Sequence, residues 1–292
     1  MIISHILGGL GNQMFQYATG KALALSKAVP FLLDLHDFDR YRLHQGFELD
    51  RIFAVEFKRA ELGEVQQLLG WRAQDWVIKV LKRHFFKPFR GPHFVMEPYW
   101  SYWPSLRQVA DEAYLYGYWQ SEKYFLDFES SIRSDFSFVG ELDRVNATLK
   151  EKILKTGGIS LHVRRGDYVS DKKTAAVMAP CGEDFYAKAM TYMAERLTQP
   201  TFYVFSDDMA WTKAHLPTNF DCIYVDHNQG KQSYIDLQLM GYCQHHIIAN
   251  SSFSWWGAWL NPNPRKIVLA PTLWHINPVH DQDRIPQGWV KL

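Results

Sequence analysis

The sequence predicts an α/β protein of two domains, each built around a parallel sheet, and three observations carry that expectation. From residue 159 onward, short apolar runs alternate with longer amphipathic ones, the pattern of strands buried on both faces and joined by helical crossovers. The chain opens in the same way, with an apolar run at 2–6, a glycine-rich turn and an amphipathic stretch over 12–26. Its 292 residues, 47% of them apolar, are enough for two cores of ordinary size.

In the first half, the strands expected after 2–6 are 31–33, 94–96 and 114–118, while residues 59–90 read as helical and basic. A polar helix over 141–155 runs to Gly157-Gly158, where glycine can take the left-handed conformation that closes a helix. The domain boundary is expected there, dividing the chain into 1–157 and 158–292. In the second domain the expected strands are 159–163, 201–205, 222–225, 246–249 and 266–270. Helices at 183–197, 209–215, 234–243 and 254–260 fill the intervals.

Charge narrows the function. The 32 Lys and Arg nearly balance the 31 Asp and Glu, so no global basic field exists to hold a nucleic acid, and any anion must be held locally. Cys181, Cys222 and Cys243 show neither a disulfide framework nor zinc-ligand spacing, which suits a reducing compartment. There is no basic segment leading into a sustained apolar run at the start, and no membrane-length apolar stretch. The expected location is therefore the cytoplasm.

Four motifs carry chemistry. The run His162-Val163-Arg164-Arg165-Gly166-Asp167-Tyr168 puts two arginines at the carboxyl end of a strand, the edge where open α/β sheets bind ligands. Guanidinium forks suit a pyrophosphate, although pairing with Asp167 in a structural loop is an equal reading. Asn250-Ser251-Ser252-Phe253 leads a strand into a helix start, which favours an anion or serves as plain capping. Trp255 and Trp259, one helical turn apart, suit the core. Asp207-Asp208 ends another strand and can accept from a ribose hydroxyl or guanine N–H groups. Asp208 is equally suited to capping the next helix, and two adjacent carboxylates are an incomplete metal set.

The fourth motif, Gly8-Gly9-Leu10-Gly11-Asn12-Gln13, lets backbone approach a ligand closely, with the Asn12 and Gln13 amides as donors to phosphate or sugar. It departs from the dinucleotide fingerprint, because Met14 stands where a glycine is required. Three of the four motifs fall at strand carboxyl ends of one expected sheet. Together they describe a nucleotide-diphosphate site that requires no metal.

At this point the chain closely resembles the alpha-1,2-fucosyltransferases of glycosyltransferase family 11, from Gly8 to Leu260. The matching blocks are GGLGNQMFQYATGKALA from Gly8, HVRRGDYV from His162, FYVFSDD from Phe202, and the run from Asp236 through Asn250-Ser251-Ser252-Phe253 to Leu260. The resemblance implies a GT-B architecture of two facing Rossmann-like domains, an N-terminal acceptor-side domain and a C-terminal one binding GDP-fucose. It also implies inverting transfer to the 2-hydroxyl of a terminal galactose on a glycan acceptor, with no metal or other cofactor. On matching positions, Arg164 is the residue expected to stabilise the leaving diphosphate, with His162 and Arg165 supporting donor binding. Asn250, Ser251, Ser252 and Phe253 are expected around the phosphates, Asp207 or Asp208 at guanine or ribose, and Gly11, Asn12 and Gln13 as further donor contacts.

An inverting transfer calls for a group to take the acceptor proton, and the matched blocks supply none. Asp34, Asp37 and Glu97 are the candidates, Asp34 being best placed just past a strand; a turn cap is an equal reading of it. Residues 76–90 interleave Lys79, Lys82, Arg83, Lys87 and Arg90 with apolar residues. That is either a helix with its polar face in water or a surface for peripheral contact with an anionic inner membrane. Two other classes stay open: a non-catalytic nucleotide- or glycan-binding module, and transfer of another GDP-sugar or with alpha-1,6 linkage.

Overall fold

The computed structural model describes residues 1–39, 45–99, 101–276 and 282–292. Two compact units result, Met1–Val139 and Gly140–Leu292. The division thus falls earlier than the Gly157-Gly158 expected from the sequence. Gly157 does end the helix Arg144–Thr156 in a left-handed conformation, with φ 61°. The helix itself packs on the helix Tyr234–Tyr242, and its Ile153 is buried with Tyr203, Phe205 and Leu239, so it belongs to the second core.

Among the described residues of the first unit, β1 (Ile2–His5), β2 (Phe31–Asp34), β3 (Lys58–Arg59), β4 (Phe94–Met96) and β5 (Ala113–Tyr116) form a parallel sheet of order β3-β2-β1-β5-β4. Every residue of β1 is buried, the mark of a central strand covered on both faces. The helix Leu10–Lys27 crosses from β1 to β2 and lies close on the sheet at Gly20. A Cβ there would stand 2.5 Å from the Phe31 ring and 2.9 Å from Ser4, so a larger residue would lift the helix off its strands.

The basic stretch is not one amphipathic helix. It divides into Leu62–Leu69, the 3-10 turn Gly70–Ala73, Asp75–Leu81 and the 3-10 segment His84–Phe89. Gly70 turns the chain with φ 59°, and Pro88 has no amide to extend a helix. The edge strand β3 has no signature in the sequence because both of its residues are exposed.

In the second unit, β6 (Ile159–Val163), β7 (Thr201–Ser206), β8 (Asp221–Val225), β9 (His245–Ile247), β10 (Val268–Ala270) and β11 (Val290–Lys291) make a parallel sheet of order β11-β10-β9-β6-β7-β8. The chain lays β7 and β8 on one side of β6, then returns to lay β9, β10 and β11 on the other. The connections leaving β6 and β9 therefore diverge, opening a crevice at their carboxyl ends. In the first unit β1 occupies the same topological position, between β2 and β5.

Beside this sheet lies a buried polar knot. Asn146 and Asn228 exchange reciprocal amide hydrogen bonds of 3.0 Å, and Asn228 Nδ2 donates to Asp236 Oδ1 at 2.8 Å. Burial pushes the Asp236 carboxyl up to about 7, against the opposing bond from Asn228. Because the folded value lies above the ordinary 3.8, the stability linked to this group is fully present below about pH 4 and is lost as pH rises through about 7. Asp236→Asn keeps an acceptor for Asn228 without the charge. Its urea midpoint is expected to fall less than the wild type's between pH 5 and pH 8; equal falls would contradict the assignment.

Candidate functional site

The crevice of the second unit is filled by an ion-paired cluster that grows out of β6 and β7. Arg164 Nη2 donates to Asp167 Oδ1 at 2.6 Å, and Nη1 lies 2.9 Å from Asp207 Oδ2. Asp207 Oδ1 accepts from the Arg165 backbone N–H at 2.8 Å, so one carboxylate fixes both arginines. Gly166 makes this possible. A Cβ at that position would stand 2.4 Å from Asp207 Oδ2.

Arg165 lies over the Trp211 ring at 3.9 Å, and its Nε is 3.5 Å from Asp208 Oδ2. Asp208 Oδ1 accepts from Trp211 N at 3.1 Å, capping the helix Met209–His215, as one of its sequence readings anticipated. Arg164 is also 5.5 Å from the Tyr168 ring, whose hydroxyl donates to the Asn250 carbonyl at 2.8 Å. Burial opposes the Arg164 charge, but Asp207 and Asp167 outweigh it and hold the guanidinium firmly protonated. Both arginines carry more N–H donors than these contacts use. The structural and anion-gripping readings of the motif are therefore compatible.

The other wall of the crevice is the start of the helix Ser252–Leu260. Ser251 Oγ caps it by accepting from Phe253 N at 3.3 Å. The opening amides of a helix have no intrahelical partner and carry the positive end of its dipole. Asn250 is wholly buried, and its Nδ2 donates to the Ala179 and Trp274 carbonyls at 2.9 and 3.0 Å. It braces the loops around the crevice, and its side chain is not offered to a ligand.

Phe253 meets the His162 ring at 5.9 Å. Burial, helped by the Arg164 charge, pushes His162 down to about 3, so it is a neutral imidazole, with Nδ1 unpartnered among the described residues. Trp255 and Trp259 stack in the core. Gly166 and Tyr168 stand in the arginine motif without a role of their own, and Trp211 lies outside every motif. Their neighbours Arg164, Asp207 and Asp208 were the available signal.

In the first unit, Gly8 takes φ 87° ahead of the helix Leu10–Lys27. A Cβ there would press on Asn12 Nδ2 at 2.9 Å, so the turn requires glycine. Gln13 is fully buried: its Nε2 donates to the Gly8 and Gly46 carbonyls at 2.9 and 2.8 Å, and its Oε1 accepts from Glu48 N at 3.0 Å. Expected as a donor contact, Gln13 spends its side-chain amide holding this loop. Asn12 is partly exposed, its Oδ1 accepting from Gln120 Nε2 at 2.6 Å, and Gly11 lies buried behind it in the first helical turn.

The three candidate bases differ sharply. Glu97 is buried and accepts from the Tyr118 and Trp119 amides at 2.7 and 3.0 Å, so it is a loop clamp, with Trp119 held at φ 56°. Asp37 accepts from His5 Nε2 at 3.0 Å, and that bond holds its carboxyl below the ordinary range despite partial burial. Asp34 is buried, with Oδ1 accepting from the His36 ring and His36 N, and Oδ2 from the Tyr114 hydroxyl. Burial pushes the Asp34 carboxyl up, but the His5 charge and these hydrogen bonds outweigh it and leave it below its usual value. A depressed, fully engaged carboxylate makes a poor proton acceptor. His5, His36 and Tyr114 went unnoticed in the sequence, where nothing marks residues so far apart as neighbours. Among the described residues, no group of three or more His, Cys, Asp or Glu side chains is arranged to hold a metal ion.

The family model for glycosyl transferase family 11 matches residues 100–292. An alpha-1,2-colitosyltransferase of Escherichia coli is 32% identical over 303 residues, covering 100% of this chain and 99% of the relative. The human galactoside alpha-(1,2)-fucosyltransferase 1 is 26% identical over 270 residues, covering 87% of this chain and 63% of that protein. Among solved structures, NodZ alpha-1,6-fucosyltransferase soaked with GDP-fucose superposes with a TM-score of 0.51 at 14% identity, covering 92% of this chain and 94% of that one. That likeness establishes the GT-B fold.

Proposed function

This chain belongs to glycosyl transferase family 11, and from that premise we propose that it transfers L-fucose from GDP-fucose to the 2-hydroxyl of a terminal galactose. The transfer inverts the donor's anomeric centre and uses no metal. The observation that carries this reading is Arg164 at the β6 carboxyl end, held by Asp167 and Asp207 with guanidinium donors to spare. Breaking the bond from sugar to phosphate leaves an oxocarbenium-like sugar and develops charge on the diphosphate. Arg164 and the helix start at Ser252 answer that charge, with Arg165 and Phe253 lining the donor and neutral His162 donating a hydrogen bond rather than a charge. Asp207 acts by holding the arginines. Asp208, the more exposed carboxylate, is the one left for ribose or guanine.

A second reading is favoured by the 32% identity to a colitosyltransferase, since colitose is fucose without its 3-hydroxyl. The two donors differ by one polar group. A site that hydrogen-bonds the 3-hydroxyl would discriminate strongly against the deoxy sugar, whereas an apolar one would discriminate weakly. Turnover of GDP-fucose, GDP-colitose and GDP-mannose side by side tests the donor: GDP-fucose should give the highest kcat/KM, and a clear preference for GDP-colitose would move the assignment to the second reading.

The acceptor side suits a lipid-linked glycan. No helix among the described residues is long and apolar enough to cross a membrane. The first unit nonetheless exposes Trp71, Trp76, Phe85 and Phe89 beside the exposed cations Lys79, Arg83 and Lys87. Aromatic and cationic groups together favour the interface of an anionic bilayer. Co-sedimentation with vesicles containing phosphatidylglycerol is expected at low salt and should fall on replacing Trp76 and Phe85 with serine. Equal recovery with purely zwitterionic vesicles, or none with either, would end this part of the proposal.

A further inference from the structure

The two adjacent arginines of the crevice are anchored by different means. Arg164 is gripped by two carboxylates, at 2.6 Å from Asp167 and 2.9 Å from Asp207. Arg165 has its backbone N–H fixed on Asp207 at 2.8 Å, but its guanidinium has no comparable grip. Its Nε is buried without a hydrogen-bond partner among the described residues, and Asp208 Oδ2 stands off at 3.5 Å. What the guanidinium does touch is a ring: its central carbon lies 3.9 Å from the centroid of Trp211.

That ring is itself held at several points. Trp211 N donates to Asp208 Oδ1 at 3.1 Å, which ties the start of the helix Met209–His215 to the same carboxylate that faces Arg165. The wholly buried Thr212 secures the same turn by donating to the Asp208 carbonyl at 2.7 Å. One turn on, the His215 ring stacks on the indole at 4.4 Å and 11°, and His215 Nδ1 donates to the Trp211 carbonyl at 2.7 Å. An aromatic face attracts a guanidinium through the ring quadrupole and engages none of its N–H groups. Carboxylates hold an arginine by occupying its donors, whereas a ring holds it and leaves those donors for an incoming anion.

We infer, resting on the GDP-sugar reading above, that Trp211 is a positioning residue for the donor: its ring seats Arg165 so that the unengaged N–H groups of that side chain bind the nucleotide diphosphate. Every group involved belongs to the unit Gly140–Leu292. The two arginines then divide the work. Arg164, clamped between carboxylates, answers the charge that develops as the sugar leaves. Arg165, seated on the indole, holds the diphosphate alike before and during bond breaking, and an interaction present in both states shows in KM more than in kcat.

GDP affinity is measured by titration calorimetry on the full chain and on Trp211→Leu, Trp211→Phe and Arg165→Ala, with GDP-fucose kinetics on lactose alongside. Trp211→Leu is expected to weaken GDP ~10-fold, the effect of losing a partly desolvated cation–π contact, and to raise the donor KM by a like factor while kcat stays within ~3-fold. Trp211→Phe keeps an aromatic face and should recover most of the affinity. The deciding comparison places Trp211→Leu in the Arg165→Ala background. If the ring acts through Arg165, the second substitution weakens GDP no further there; a merely structural tryptophan weakens it by the same factor in both backgrounds, and that result overturns the inference. Unchanged GDP affinity in Trp211→Leu overturns it as well. Should the leucine variant not fold, Trp211→Met, which fills more of the space, takes its place in both backgrounds. A wild type that binds no GDP sinks the donor reading itself, whereas a wild type that binds GDP with Trp211 and Arg165 variants unaffected removes only the role of the ring.

Discussion

Arg164→Ala should lose sugar transfer by ~100- to 1000-fold, about 3 to 4 kcal/mol of transition-state stabilisation, while remaining folded. The size follows from what the guanidinium meets. In the ground state it already neutralises Asp167 and Asp207, and it keeps further N–H donors that the proposed transfer would use against the charge developing on the diphosphate. Removing it also leaves those two carboxylates without their cation. They are partly exposed, at 37% and 27%, so water can replace much of what the fold loses. Arg164→Lys keeps the charge but gives up the fork that spans two carboxylates, and an intermediate rate is expected. Near-normal kcat/KM in Arg164→Ala, measured on protein with an unchanged circular dichroism spectrum, would remove the central residue of the mechanism.

Gln13→Ala is expected to act through stability instead. It deletes two buried hydrogen bonds and a part-buried one, and leaves Glu48 N and the Gly8 and Gly46 carbonyls to find other partners. An unsatisfied buried group costs roughly 1 to 3 kcal/mol, and the emptied volume adds to it, so a loss of about 3 to 5 kcal/mol is expected. The measurement is chemical denaturation followed by a probe in the first unit, since two units need not unfold in one step. A normal midpoint combined with weakened GDP binding would instead restore Gln13 to the donor-contact role that its motif suggested.

The central strands were legible in the sequence because a strand covered on both faces is a short unbroken apolar run, as in 159–163 and 201–205. The two-residue edges β3 and β11 bury little, and so leave no such trace. The domain boundary was misplaced because Gly157 marks a helix end, while the packing of Ile153 decides which core that helix joins.

At the site, the motifs at the β6, β7 and β9 ends proved to be neighbours because sheet order places them so. Which of their side chains face inward was not readable. Asn250 and Gln13 lie in the most distinctive blocks, yet both are wholly buried and bound to backbone carbonyls. Asp34 and His36 are two residues apart, but the other partner of Asp34 is Tyr114 on a distant strand, and no local spacing encodes that contact.

The most direct test of the account is the structure of the product formed from GDP-fucose and lactose in excess EDTA, with its linkage and anomeric configuration read by NMR. The account predicts α-L-fucose on the galactose 2-hydroxyl, formed at an undiminished rate without metal. Fucose on any other hydroxyl, retention of the donor's β configuration, or transfer abolished by EDTA and restored by a divalent cation would contradict it.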